Sequence, residues 1–379
     1  MNTKSKSSEH ASELDGYGAN PIVLAYCGLR DRLQGRAHRA RARWGHLRAP
    51  EGAGKLIWVR AGSSRRSVRL AAEVVAALRE KRRDVRLILT YHTEYPDLLA
   101  ARLGGLAKTG FGFGPADAPR AVDRVLARLE PSGVICVEDA PGHNFLKALS
   151  ARKIHAVQLQ GACPQRGGLD AYYPHAEGAV VDGAAGYVAP AADLLTLIIP
   201  SQVDPVFGSL LKGNGCTDIW WAHAPKNGPD WVGAWVASPL FGNSVLCVSQ
   251  SEAGFAETAM AAGLAVYKAS NWSRDAVPAG SIWIVDEERW LPALAASASG
   301  VWLGLAGDRE TFWQALAGGA PRVVVEASAP ADVMAGWLAL QSDPAQARKR
   351  RDESRRLFWE ERRKAAAVLE EFLQRIYDW

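Results

Sequence analysis

The strongest constraint in this chain is a repeated alternation of apolar runs with helical periodicity, which occurs once in each half. The run at 56–61 predicts a strand, and 68–81 predicts a helix with Leu70, Val74, Ala77 and Leu78 on one face. Strands at 85–90, 133–137 and 156–160 alternate with helices at 95–103, 118–129 and 143–152. The second series predicts strands at 244–248, 265–269, 281–285, 300–305 and 322–325, and helices at 252–262, 290–296 and 311–317. Strands that alternate with helices imply a parallel, doubly wound sheet. The expectation is therefore α/β: two facing Rossmann-type domains followed by a C-terminal helical tail.

The expected organisation is a disordered tail at 1–19 and a basic helical segment at 20–50. An N-terminal Rossmann-like domain at 51–211 is followed by a linker at 212–232, where Gly, Asn and Pro punctuate the chain. A C-terminal Rossmann-like domain at 233–330 precedes helices at 331–379. The segment 161–190 gives no clear pattern, and 194–199 predicts a strand. A length of 379 residues with 48% hydrophobic content supports two full cores.

The net charge is only +5, but it is unevenly placed. Seven arginines and two histidines face one aspartate between Arg30 and Arg48. A second basic cluster runs over 346–364. Such clusters suit anionic lipid or phosphate, or else form solvated helix faces. The basic runs lack interleaved aromatics, so no nucleic-acid partner is expected. The five cysteines are far apart, with no C-x-x-C pair, which predicts reduced thiols and no metal site. No apolar stretch approaches the roughly 20 residues of a membrane span. These features predict a cytoplasmic protein, with peripheral contact at the inner face of the membrane through 21–48 as an open possibility.

The loop Gly62-Ser63-Ser64 joins the 56–61 strand to its helix, with Arg65 and Arg66 at the junction. A strand that runs through such a loop into a helix presents backbone N–H groups at the ligand edge of an open sheet. Arg60, Ser63, Ser64, Arg65, Arg66 and His92 are candidates for acceptor or anion binding, against the alternative of a solvated pair and a polar loop. Glu138 and Asp139 end an apolar strand, and His143 opens the next helix, so Glu138 and His143 are candidate bases. Asp139 is equally suited to cap the helix at 143–152. Of the 14 tryptophans, Trp283, Trp302 and Trp313 are expected in the core and Trp220 and Trp221 at a functional surface. The Gly110–Gly114 run lacks the strand-to-helix setting of a dinucleotide loop.

Taken together, these segments resemble the 3-deoxy-D-manno-octulosonic acid (Kdo) transferases of lipopolysaccharide assembly. The segment 56–66 is similar to the family's strand and loop leading into S-V-G-E, and 79–91 to the helix end and strand that follow. Pro115, Asp117 and Pro119 sit like P-Y-D-x-P, and 134–144 like the strand followed by E-T-E-L-W-P-N. The segment 152–160 is similar to the next strand, and 301–323 to the stretch bearing G-G-H-N-P-L-E. The resemblance implies a GT-B fold without a cofactor or metal. It also implies an inverting transfer from CMP-Kdo, a nucleotide-sugar donor, to a lipid A-type glycolipid acceptor.

The departures from the family are as informative. The family base, the Glu of S-V-G-E, falls on Arg66 or Ser67. The P-R-H-P-E-R segment falls on Ser249–Gly254, and N-P-L-E on 311–314. Ser249, Gln250, Thr311 and Gln314 are the donor-site candidates that remain. Two expectations follow: a divergent glycosyltransferase with a different base, or an inactive paralogue that binds glycolipid or regulates a true transferase. An epimerase on the same fold is a third.

Overall fold

The computed structural model of the chain describes residues 21–162, 167–178, 183, 185–200, 216–271, 277–304, 308–322 and 329–379. The predicted tail at 1–19 lies outside them, as does most of the predicted 322–325 strand. The chain divides into two compact units. The first comprises Met1–Leu194 with Lys364–Trp379, and the second Leu195–Arg363.

The first unit opens with helices α1 (Pro21–Leu33) and α2 (Ala37–Arg43). Then follow β1 (Leu56–Ala61), α3 (Arg65–Lys81), β2 (Arg86–Tyr91), α4 (Pro96–Leu103), β3 (Thr109–Phe113) and α5 (Pro119–Leu129). After these come β4 (Gly133–Val137), α6 (His143–Ala151), β5 (His155–Leu159) and β6 (Ala171–Tyr173). The strands pair in the order β3-β2-β1-β4-β5-β6, and every pairing is parallel. That order is the Rossmann one, in which the chain reverses direction between β1 and β4 and leaves a crevice at their carboxyl ends. Strands β1 and β4 are buried along their whole length, as expected of strands covered by helices on both faces.

Two elements of this unit depart from the sequence pattern. The Thr-Gly-Phe-Gly-Phe run is the edge strand β3, followed by a helix; its glycines conceal it because they weaken any strand pattern. Strand β6 emerges from the uninformative stretch after residue 160.

The second unit contains α7 (Leu195–Ile198), β7 (Asp218–His223), α8 (Gly228–Ala237), β8 (Ser244–Ser249), α9 (Phe255–Ala261) and β9 (Val266–Lys268). It continues with β10 (Ile282–Val285), α10 (Leu291–Ser297), β11 (Gly300–Leu303), α11 (Arg309–Gly318), α12 (Pro330–Ser342) and α13 (Pro344–Arg375), whose last turns belong to the first unit. Its sheet, β11-β7-β8-β10-β9, is also parallel throughout. Leu194 to Ile199, predicted as a strand, contains the short helix α7, because an apolar run this short carries no period that separates the two.

The expected linker holds β7, a central strand of the second sheet. Its flanking turn residues conceal the apolar run Ile-Trp-Trp-Ala. Trp220 and Trp221 are therefore core residues and not a functional surface. They point to opposite faces: Trp221 packs with Cys247, Trp283 and Val301, while Trp220 packs with Leu246, Trp231 and Trp337. Burying one indole removes roughly 200 Å² from water, worth about 5 kcal/mol by transfer, so these rings are strong anchors for the sheet. Trp283 and Trp302 are buried as expected.

Candidate functional site

In the first unit the loops after β1 and β4 meet at the switch point. Ser64 caps α3 by accepting from the Ser67 amide at 3.0 Å. Ser67 Oγ accepts from the Gly62 amide and donates to the Val137 carbonyl at 3.0 Å, which pins the β1 loop to the end of β4. The Ser63 amide donates to Asp139 at 3.2 Å. Gly62 is required here, since a Cβ would lie 2.5 Å from the Asp139 carboxylate.

Arg65 and Arg66 are the first two residues of α3, one turn earlier than the periodicity alone indicates. Cations oppose the helix dipole there. Each is met by an acid: Arg65 pairs with Asp97 on α4 at 2.9 Å, and Arg66 with Glu138 at 2.9 Å. Ser64 Oγ also donates to Glu138, at 3.4 Å. The carboxylate at the end of β4 is thus held by Arg66 and Ser64 from the start of α3.

Asp139 does not cap α6. Asp117, reaching across from the β3–α5 loop, accepts from the Asn144 and Phe145 amides at 3.3 and 2.8 Å. A Cβ on Gly142 would lie 2.2 Å from that carboxylate, so the cap requires glycine. Burial raises the Asp117 and Asp139 carboxyls above the ordinary aspartate range, against the pull of their amide donors and of Arg60. His143 is exposed on the first turn of α6.

Arg60 and His92 lie beneath these loops, both buried. The Arg60 guanidinium sits 3.9 Å from the centre of the Phe145 ring. Arg39 donates to the His92 carbonyl at 3.1 Å. Burial, with Arg60, Arg43 and Arg39 nearby, pushes His92 down to about 3, so its imidazole is neutral at physiological pH.

The second unit gathers a different set at its own strand ends. Trp221 Nε1 donates to Ser249 Oγ at 2.8 Å, and His223 Nδ1 lies 2.8 Å from the same oxygen. His223 Nε2 lies 2.8 Å from Asp308 Oδ2, which also accepts from Thr311 Oγ1 at 2.7 Å. The indole N–H can only donate. With Nε2–H directed at the carboxylate, the Ser249 O–H can point at Nδ1 and complete a chain from Trp221 to Asp308. Burial would raise the Asp308 carboxyl, but the hydrogen bonds from His223 and Thr311 outweigh it and hold the group at about 2. His223 and Asp308 were not singled out by the sequence, because 85 positions separate them.

Of the donor-site candidates, Ser249 and Thr311 are members of this buried chain, and Gln314 is buried on α11 with its amide donating to Glu310 at 3.4 Å. Gln250 follows β8 with a left-handed φ of 50°. Glu138, Gln160 and Ala224, with φ of 65°, 63° and 50°, likewise follow β4, β5 and β7 directly. Four non-glycine residues in this sparsely populated region, each just past a strand, mark both ligand edges; such strain concentrates at functional sites. Among the described residues no group of His, Cys, Asp and Glu is arranged to hold a metal ion, and no helix is long and apolar enough to cross a membrane. Cys27, Cys136, Cys216 and Cys247 are buried.

Residues 38–167 match the family model for 3-deoxy-D-manno-octulosonic-acid transferase, so the resemblance to the Kdo transferases is shown over most of the first unit. No curated protein matches the chain in sequence. Among solved structures, a putative UDP-N-acetylglucosamine 2-epimerase from Listeria monocytogenes aligns with TM-score 0.54 at 10% identity, covering 79% of this chain and 91% of that one. The UDP-GlcNAc 2-epimerase from Neisseria meningitidis, bound to UDP-GlcNAc, gives 0.54 at 10% identity over 84% of this chain and 100% of that one. Phytolacca americana UGT2, complexed with UDP-2fluoro-glucose and pterostilbene, gives 0.50 at 9% identity over 86% and 100%. At these identities the likeness concerns the fold, which is of the GT-B class shared by glycosyltransferases and these epimerases.

Proposed function

We propose that the chain is a glycosyltransferase that moves a sugar from a nucleotide-activated donor to a glycolipid acceptor in cell-envelope assembly. By family resemblance the donor is CMP-Kdo and the acceptor of the lipid A type. The observation that carries this reading is the Kdo-transferase match over 38–167, which contains the β1 and β4 loops joined at the switch point. In this reading the first unit holds the acceptor. Glu138, or His143 beside it, accepts the proton of the attacking hydroxyl. Ser63, Ser64, Arg65 and Arg66 line the acceptor site, with the two arginines toward its anionic groups, while Arg60 and His92 support the loops from beneath. The β8 end and α11, with Ser249, Gln250, Thr311 and Gln314, form the donor side.

The Arg66–Glu138 pair supports a second reading. The ion pair with Arg66 and the Ser64 hydrogen bond occupy the carboxylate that the transferase reading uses to accept the proton. A paralogue that binds glycolipid without turning it over would tolerate that arrangement. Titration of CMP, CDP, UDP and GDP against the full chain separates the two readings. Nucleotide binding with donor hydrolysis that is lost in Glu138→Gln or His143→Ala is the transferase result. Retained lipid A binding with no response to any nucleotide is the paralogue result.

Helix α1 supports contact with an anionic membrane surface at the cytoplasmic face. Ile22, Tyr26, Leu29 and Leu33 are 81%, 60%, 58% and 80% exposed, a single outward apolar stripe at spacings of three and four. Exposed Arg32, Arg36 and Arg41 follow it. An outward apolar face with adjoining arginines matches a lipid headgroup boundary. Sedimentation with phosphatidylglycerol vesicles, but not phosphatidylcholine vesicles, is expected. Leu29→Glu should abolish it, and equal sedimentation of that variant would remove α1 from the contact.

A further inference from the structure

The basic face of α13 has a use that lies away from both ligand edges. Arg351 donates to the Ala298 carbonyl at 3.1 Å, and Arg355 to the Gly318 carbonyl at 3.4 Å. These two guanidiniums satisfy the ends of α10 and α11, where carbonyls lack helical partners and positive charge is favoured. Two others are not used in this way. Arg322 leaves its guanidinium half-buried, 4.7 Å from the centre of the Phe312 ring. Arg350 donates only a long 3.5 Å bond to the Arg322 carbonyl. Among the described residues, neither has a carboxylate within ion-pair distance.

Both arginines line a pocket of about 310 Å³ whose other walls are Leu316, Glu353, Ser354 and Leu357. Burial lowers the Arg322 guanidinium. A half-buried cation with unfilled donors is costly unless something answers its charge. The volume lies at the lower end of small-molecule sites.

We propose that this pocket binds a small hydroxylated anion, a sugar phosphate or sugar acid. Arg322 and Arg350 converge on the phosphate or carboxylate, as paired guanidiniums do. Glu353 repels a bare anion but accepts from sugar hydroxyls, and Ser354 adds a hydroxyl beside it. Leu316 and Leu357 flank the carbon skeleton. The site lies within the second unit and does not depend on the transferase reading.

Calorimetric titration of the full chain with ribose 5-phosphate, glucuronate, inorganic phosphate and neutral ribose tests it. Ribose 5-phosphate or glucuronate should bind, inorganic phosphate more weakly, and ribose not at all. Arg322→Gln and Arg350→Gln should each weaken binding by about tenfold or more, the loss of one charge-assisted contact. Arg350 lies on the outer part of α13, so its substitution keeps the test open should Arg322→Gln fold poorly. If neither sugar anion binds, or if both variants bind as the parent chain does, the site is refuted. Inorganic phosphate that binds as tightly as ribose 5-phosphate would refute the sugar.

Discussion

Replacing Asp308 by Asn tests whether the buried chain from Trp221 to Asp308 is worth what its geometry implies. The Asp308 side chain is 20% exposed, so solvent screens it weakly. Its carboxyl falls from the ordinary 3.8 to about 2, with burial opposing the fall and His223 and Thr311 driving it. A depression of that size corresponds to about 2 kcal/mol of folding stability at neutral pH. The folded value lies below the unfolded one, so this stability is complete above pH 4 and disappears as pH falls through 2. Near pH 3 about half remains.

Asp308→Asn keeps the shape and removes the charge. At pH 7 the variant should lose about 2 kcal/mol. For a unit of this size that is a melting temperature lower by roughly 4–8 °C. The assay is urea unfolding of both proteins at pH 7, 5, 4 and 3, with hydrogen exchange of the β7 and β8 amides locating the transition. The gap between the proteins should be constant from pH 7 to 5 and about halved at pH 3. A gap under about 0.5 kcal/mol at pH 7, or one that does not change with pH, would refute the hydrogen bonding assigned to the Asp308 carboxylate.

Three further outcomes are expected. Asp117→Ala removes the carboxylate that serves two amides of α6 and should cost about 1–2 kcal/mol in chemical denaturation, whereas a silent substitution would mean that α6 needs no cap. In Gly161→Ala the new Cβ would fall 1.6 Å from the Glu138 carbonyl at a φ of 80°, so thermal melting should drop sharply and Glu138-dependent ligand binding should weaken with it. Trp221→Phe keeps most of the packing but removes the donor to Ser249, and should cost at least about 1 kcal/mol in urea unfolding.

Much of the architecture is legible in the residues because parallel strands buried on both faces must be continuously apolar. The runs 56–59 and 245–248 are of this kind. What escaped was decided by context. Thr109–Phe113 is a strand only because Leu87–Tyr91 offers it a partner. Asp218–His223 is a short strand hidden by the turn residues on either side. The candidate region was legible where it is local, in the Gly62-Ser63-Ser64 loop that carries the first strand into its helix. It was not legible where tertiary contact creates it: Arg66 reaches Glu138 across 72 positions, and Asp117 takes the capping role that Asp139 was equally suited to fill.

The division of the chain has a consequence for its biogenesis. The first unit is not continuous, since Lys364–Trp379 completes it. Trp379 stacks on His155 and fills the space a side chain at Gly133 would need, and the Asp378 carbonyl accepts from Lys55. During synthesis every residue of the second unit is made before the closing piece of the first. The unit that is made first is therefore finished last, and for most of translation its β4 and β5 ends stay uncovered. A chaperone that shields nascent chains should contact this unit longest, and released chains truncated before residue 364 should expose it to protease.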